Sequence, residues 1–330
     1  MPPRRSIPVC PPAAGIFRRR PARAGSVLIV VMITLIFTAF ALGAFMEKAS
    51  NDLLVEQRDA VTRRLRREAY SALEVTLAVL EDFRLAGNGL HSTAEGWGDP
   101  LAFAGYTPTE DRTVEIAFED ESAKLSLPRV SPTTLTGLFK NWGITQVDAE
   151  ALTDALMGWM QKDHISSTGI LPDYEQSSLP YQPPLRPLRS YEELAAIEKA
   201  REMFYDSEGR PNELWKRFVD SISLLNFPRP NINGGKSDTL AALGQFDESQ
   251  QQNLADYLKG SGNFQSFGPQ FLQNSADAAR ITGPSGDVGA FGTTISALRV
   301  IVIVHEGKST YRLAAVVTPQ GGGASTTQTT

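Results

Sequence analysis

An uncharged run of 21 residues, SVLIVVMITLIFTAFALGAFM at 26–46, constrains this chain more than any other feature. As a helix rising about 1.5 Å per residue it spans the roughly 30 Å hydrocarbon core of a bilayer. The chain is therefore expected to be held at a membrane. Arg4, Arg5, Arg18, Arg19, Arg20 and Arg23 all precede the run, and the first acidic residue is Glu47. Because basic flanks stay in the cytoplasm, this predicts a single pass with the N-terminus inside and everything after Met46 outside.

The leader ends Arg23-Ala24-Gly25, immediately before the run. A basic segment closing on Gly resembles the leader of type IV pilin-like proteins, which prepilin peptidase cuts after that glycine; the resemblance implies a cut between Gly25 and Ser26. Two other readings fit the run by itself. One is an ordinary signal peptide, for which Ala41-Leu42-Gly43 is a passable cleavage site, and the other is an uncut anchor. The sequence beyond favours the pilin-like leader. From 44 to 86 there is no Gly or Pro, and Leu54, Val61, Leu65, Ala69, Leu73, Leu77 and Leu80 keep one helical face apolar. One helix over 26–86, roughly 90 Å long at 1.5 Å per residue, is expected to stop at Gly87 and Gly89. A cleaved signal peptide has no reason to continue in phase into such a helix.

Beyond the anchor, 42% hydrophobic and 21% charged residues describe an ordinary globular chain of one or two domains. The net charge of −5 hides an asymmetry: without residues 1–25 there remain 26 basic against 37 acidic residues. Such a surface repels nucleic acid and anionic lipid. The one cysteine, Cys10, precedes the run, so the exported part has no thiol and depends on a conventional core.

After a Gly-rich loop with Trp97, residues 113–118 alternate Val114, Ile116, Phe118, and Leu125 and Leu127 follow the polar stretch 119–122. This spacing predicts a hairpin, with a second one far away at 295–304 and 311–317. Between them, Ser131 with Pro132 opens a helix, Gly143 stops it, and 148–160 forms the next. A similar unit follows later. Leu240 and Leu243 match the spacing of Leu135 and Leu138, and Leu254, Asp256 and Leu258 match Leu152, Asp154 and Leu156, which suggests a weak internal duplication. Residues 166–187 are Pro-rich, Ser190 caps a further helix, and the tail GGGASTTQTT is expected to be disordered. The expected class is α+β, a pilin-like long N-terminal helix with a small antiparallel sheet and a large, mostly helical insertion. The divisions are 1–25 leader, 26–86 spine, 87–127 and 294–318 sheet region, 128–293 insertion with two helix-turn-helix units, and 319–330 tail.

These landmarks in this order resemble the type II secretion system protein K family of minor pseudopilins. They are Gly25 before the apolar helix, Asp120-Glu121-Ser122-Ala123-Lys124-Leu125, 152–163 with Trp159, Ser190-Tyr191-Glu192-Glu193-Leu194, Asn231-Ile232-Asn233 and the two closing strands. The resemblance implies an inner-membrane subunit with a periplasmic domain that initiates or caps the pseudopilus tip. Its implied partners are other minor pseudopilins, prepilin peptidase and the inner-membrane assembly platform. Most pilin-like subunits carry Glu at the fifth mature position; here that position is Val30, and the family likewise lacks that Glu. A carboxylate without a partner in an apolar setting costs several kcal/mol, so a subunit that meets no neighbour's terminal amine does better with Val. Family members can bind calcium, but Gln161 and Lys162 replace acidic residues here, leaving Asp163, Asp173 and Glu175. Six to eight oxygens are poorly supplied, and no cofactor is expected to be required. The alternatives are a pilus-like minor pilin for DNA uptake or adhesion, or a single-pass anchored periplasmic binding protein.

Enzymatic chemistry finds little support. His91, His164 and His305 stand at no metal-ligand spacing and are expected at surfaces or turns. Gly235-Lys236-Ser237 lacks the earlier Gly of a phosphate loop, and Gly283-Pro284-Ser285-Gly286 lacks the final Gly of a nucleophile elbow. A nucleic-acid-binding hairpin should be basic, whereas 131–163 holds Lys140 and Lys162 against Asp148, Glu150, Asp154 and Asp163. Trp142, Trp159 and Met160 are expected in the core.

Overall fold

The computed structural model describes residues 24–109, 111–169, 181–265, 268–283, 286–319 and 322–327. The chain divides into two units, Met1–Val61 and Thr62–Thr330. In the first, the described residues form the opening part of one helix, α1 (Ala24–Gly87). Phe37 and Phe40 are 74% and 79% exposed, and large apolar side chains surround this stretch on every side. Thr34 and Thr38 donate their hydroxyls to the carbonyls of Val31 and Thr34 at 2.9 Å. Neither leaves an unmatched donor, as an apolar solvent requires.

In the second unit α1 is amphipathic, with Leu65, Ala69, Ala72, Leu73, Val79 and Leu80 buried. It ends as the glycines predict. Asn88 and Gly89 take positive φ (55° and 144°), and the Gly89 N–H bonds to the Arg84 carbonyl at 2.9 Å. A short helix, α2 (Pro100–Phe103), leads to strand β1 (Arg112–Asp120). The other strands are β2 (Leu125–Ser126), β3 (Ile222–Ser223), β4 (Leu298–Glu306), β5 (Ser309–Thr318) and β6 (Gly322–Thr327). The main sheet runs β1-β4-β5-β6 and is antiparallel throughout. Val300, Val302 and Val304 are buried opposite Phe118, Ile116 and Val114. Period-two alternation thus sets one face of each strand inward.

Two expectations fail here. Residues 124–127 do not return as a hairpin on β1. Glu121–Ala123 form one tight 3-10 turn, capped by the Asp120 side chain, and the chain leaves the sheet; Leu125 and Ser126 pair in parallel with Ile222 and Ser223 instead. The tail is not all unstructured, because Gly322–Thr327 pairs with β5. An edge strand needs backbone partners only, and the argument from side-chain burial did not address them.

The insertion leaves β1 at Asp120 and rejoins β4 at Leu298, which are register partners. It holds α3 (Pro132–Asn141), α4 (Gln146–Met160), α5 (Glu198–Phe204), α6 (Glu213–Ser221), α7 (Ser237–Gly244), α8 (Glu248–Lys259) and α9 (Ala279–Thr282). Ser131 accepts from the Thr134 N–H at 3.1 Å with Pro132 in the first turn, the predicted start. One apolar cluster gathers Leu135, Phe139, Leu152, Leu156, Phe204 and Phe218, with Trp142, Trp159 and Met160 buried among them. A second, around α7 and α8, holds Ile232, Leu240, Phe246, Leu254 and Phe291.

Candidate functional site

The landmarks 120–125, 190–194 and 231–233 meet in a polar seam where the insertion joins the sheet. Asp120 is the pivot. Its Oδ1 accepts from the Ser122 N–H (2.9 Å) and hydroxyl (2.5 Å), and its Oδ2 accepts from Asn231 Nδ2 (2.7 Å), which also donates to the His91 carbonyl (3.0 Å). Burial raises the Asp120 carboxyl to about 6, outweighing the hydrogen bonds from Ser122 and Asn231. Ser122 donates its N–H to the Ala297 carbonyl and accepts the Ser296 N–H on its hydroxyl. Asn233 donates to the carbonyls of Leu272 and Thr293 and accepts the Leu272 N–H. These amides do the work of a strand ladder where no strand runs, so buried backbone groups find partners.

Beside them lies a buried charge cluster. Lys124 Nζ stands 2.7 Å from Glu119 and 3.3 Å from Glu121, while Arg299 Nη2 stands 2.6 Å from Glu121. Burial disfavours the charged form of Glu119, but Lys124 and Arg299 hold it below the usual carboxylate range. Tyr191 donates its hydroxyl to the Ile222 carbonyl at 2.7 Å. Burial and the Glu121 charge raise its phenol. Gly234 sits against Ala123 so closely that an added Cβ would lie 2.0 Å from the Ala123 Cβ.

A second network ties α1 to the opposite end of β1. Glu68 accepts from the Tyr106 hydroxyl (2.7 Å), the Thr109 N–H (3.2 Å) and hydroxyl (2.6 Å), and Arg112 Nη1 (2.9 Å). Burial opposes its charge, but these donors bring it down to about 2. Arg112 and Arg64 both reach Glu306. No spacing in the sequence marks Glu68; the one signal is an acidic residue among the apolar inward positions of α1.

The site residues expected from sequence are dispersed. Gly25 and Ser26 lie in the first turn of α1, and residues 1–23 lie outside the described residues. Val30 is 59% exposed on the apolar stretch. Asp163 is exposed in the turn after α4, while Asp173 and Glu175 lie outside the described residues. The buried carboxylate of that region, Asp154, has Oδ1 on His164 and Oδ2 on Ser166, Ser167 and Thr168. Among the described residues no three acidic, histidine or cysteine side chains gather as metal ligands. His91 and His164 correct the expectation of surface histidines. Both are largely buried, His91 on Glu95 at 2.7 Å and His164 on Asp154 at 2.9 Å.

Residues 119–207, which open on this seam and run through α5, match the model of the family described as type II secretion system (T2SS), protein K. Over that stretch the chain is similar to the protein K family. In fold it is similar to a chain of the GspK-GspI-GspJ complex from the enterotoxigenic Escherichia coli type 2 secretion system, at a TM-score of 0.51 and 13% identity. That similarity covers 82% of this chain and 100% of the other. Among curated proteins no sequence matches. The Asp120-to-Leu125 and Asn231-to-Asn233 landmarks hold the insertion to the sheet through the Asn231–Asp120 bond.

Proposed function

We propose that the chain is a minor pseudopilin of a type II secretion system, a structural subunit that catalyses no reaction. The match of 119–207 to the protein K family carries this reading. α1 supports it as the one helix, among the described residues, long and apolar enough to cross a membrane. In this reading the arginine leader stays cytoplasmic, prepilin peptidase cuts between Gly25 and Ser26, and the assembly platform receives the mature helix. The main domain stands in the periplasm. There α1 packs on the helices of other minor pseudopilins, and Val30, which offers no carboxylate to a neighbour's amine, suits a subunit that initiates or caps the tip.

N-terminal sequencing of the mature protein tests the anchor. Ser26 is the expected first residue, and replacing Gly25 by Leu should leave the leader attached. A mature terminus at Ala44 would instead mark a secreted soluble protein and end the pseudopilin reading.

A further inference from the structure

We propose that Arg63, Arg66 and Arg67 on α1 form a docking strip for acidic residues on the spine helix of a different pseudopilin. The proposal rests on the pseudopilin reading above. The segment 62–68 reads Thr-Arg-Arg-Leu-Arg-Arg-Glu, and the fold uses its members in two ways. Leu65 and Glu68 are buried, and Arg64 reaches Glu306 at 3.2 Å. Arg63, Arg66 and Arg67 are exposed, and among the described residues none of them forms an ion pair. Arg66 lies over the Tyr70 ring at 5.6 Å, a contact that leaves its charge uncompensated.

Arg63 stands three and four residues before Arg66 and Arg67, the spacings at which like charges on a helix repel. Asp59, four residues before Arg63, offsets part of that repulsion, but Arg66 and Arg67 have no acidic residue at three or four positions to either side. The strip lies on a molecule that is otherwise acidic once residues 1–25 are set aside. Farther along, Glu74, Glu81 and Asp82 are exposed and only Glu81 is paired, with Arg84 at 2.7 Å, so a basic block is followed by a net acidic one.

Spine helices anchored from the same side of one membrane run parallel. A second copy in register would set arginine against arginine. A different subunit with carboxylates at the level of Arg63 and basic residues farther along would be attracted, and the order of the blocks would fix its axial register. Lipid headgroups are a poor occupant. Arg63 comes 17 residues after Met46, about 25 Å of helix at 1.5 Å per residue against a Debye length of about 8 Å.

The test co-expresses the full chain with the minor pseudopilins of its own system and purifies the complex in detergent. Changing Arg63→Gln, Arg66→Gln and Arg67→Gln together should lower co-purification about tenfold at low salt, and Arg→Glu at the same positions should lower it further. The Gln variant, freed of repulsion, should unfold at the same temperature as the parent or higher, which separates lost docking from lost folding. High salt should weaken the parent complex more than the Gln variant. Basic substitutions at the facing carboxylates of the partner should restore binding to the Glu variant. Unchanged co-purification of both variants overturns the proposal. So does a variant that keeps its pseudopilin partners but loses self-association, or loses binding to anionic vesicles, since the occupant is then a second copy or lipid. A parent chain that captures no pseudopilin at all overturns the reading beneath the proposal as well.

Discussion

Asp120 is where one side chain governs the join between sheet and insertion, and its titration is readable. An aspartate ordinarily titrates at 3.8, and burial raises this one to about 6. The folded state therefore holds the proton more tightly than the unfolded chain, so Asp120 favours folding most below its unfolded value. That advantage is lost as the pH rises through 6, by up to about 3 kcal/mol. Urea unfolding at stepped pH should show stability falling over this window in the parent and not in Asp120→Asn; equal slopes would count against the assignment. Glu68 acts oppositely. Lowered from 4.5 to about 2, it contributes fully above 4.5 and loses its contribution as the pH falls toward 2, so the two windows barely overlap. Gly234 supplies a steric counterpart. Gly234→Ala should cost about 1–3 kcal/mol by overpacking. Adding Ala123→Gly should recover most of that loss, because the clash is with the Ala123 Cβ. A double-mutant cycle without coupling would show that the backbone shifts instead.

At the scale of elements, α4 holds its own exit. Asp154, in the middle of the helix, accepts from His164, Ser166, Ser167 and Thr168 beyond its end. These donors outweigh burial and keep its carboxyl well below the usual range. Asp256 in α8 does the same on a smaller scale, accepting from the Ser261 hydroxyl at 3.2 Å. Asp154→Ala should cost about 2–4 kcal/mol and speed tryptic cutting after Lys162, read by mass spectrometry of early fragments. Unchanged cutting would mean that other contacts hold the turn. The repeat of Leu-x-Asp-x-Leu was legible in the sequence, but the use of its aspartates was not. The same limit explains the failed hairpin. Alternation at Leu125 and Leu127 fixes which face is buried but says nothing about the partner, and Ile222 arrives from almost a hundred residues away. Ser131, Pro132 and the hairpin of 295–304 with 311–317 were readable because caps and tight turns are local. The Asp120 to Asn231 bond joins residues 111 apart, and no periodicity encodes it.

For the molecule as a whole, the consequential fact is how the insertion is attached. Asp120 and Leu298 are paired neighbours on β1 and β4, so the sheet closes the same way whatever hangs between them. An Asn-Gly turn in place of 121–297 should connect the strands directly, since that dipeptide suits a two-residue hairpin. The excised chain would keep α1, the strands of the main sheet and Val30, which separates Val30 from the bulk of the insertion as a reason for a tip position. If the size of the insertion confines the subunit to the end of a pseudopilus, the excised chain should label filaments at intervals along their length, where the intact protein labels one end. If it still labels one end only, size is not the sole restraint and Val30 becomes a second one. In that case Val30→Glu in the excised chain should release it into the filament. The same substitution in the intact protein should not, because the insertion would still bar a following subunit. Intact protein found at regular intervals along pseudopili would remove the tip assignment altogether.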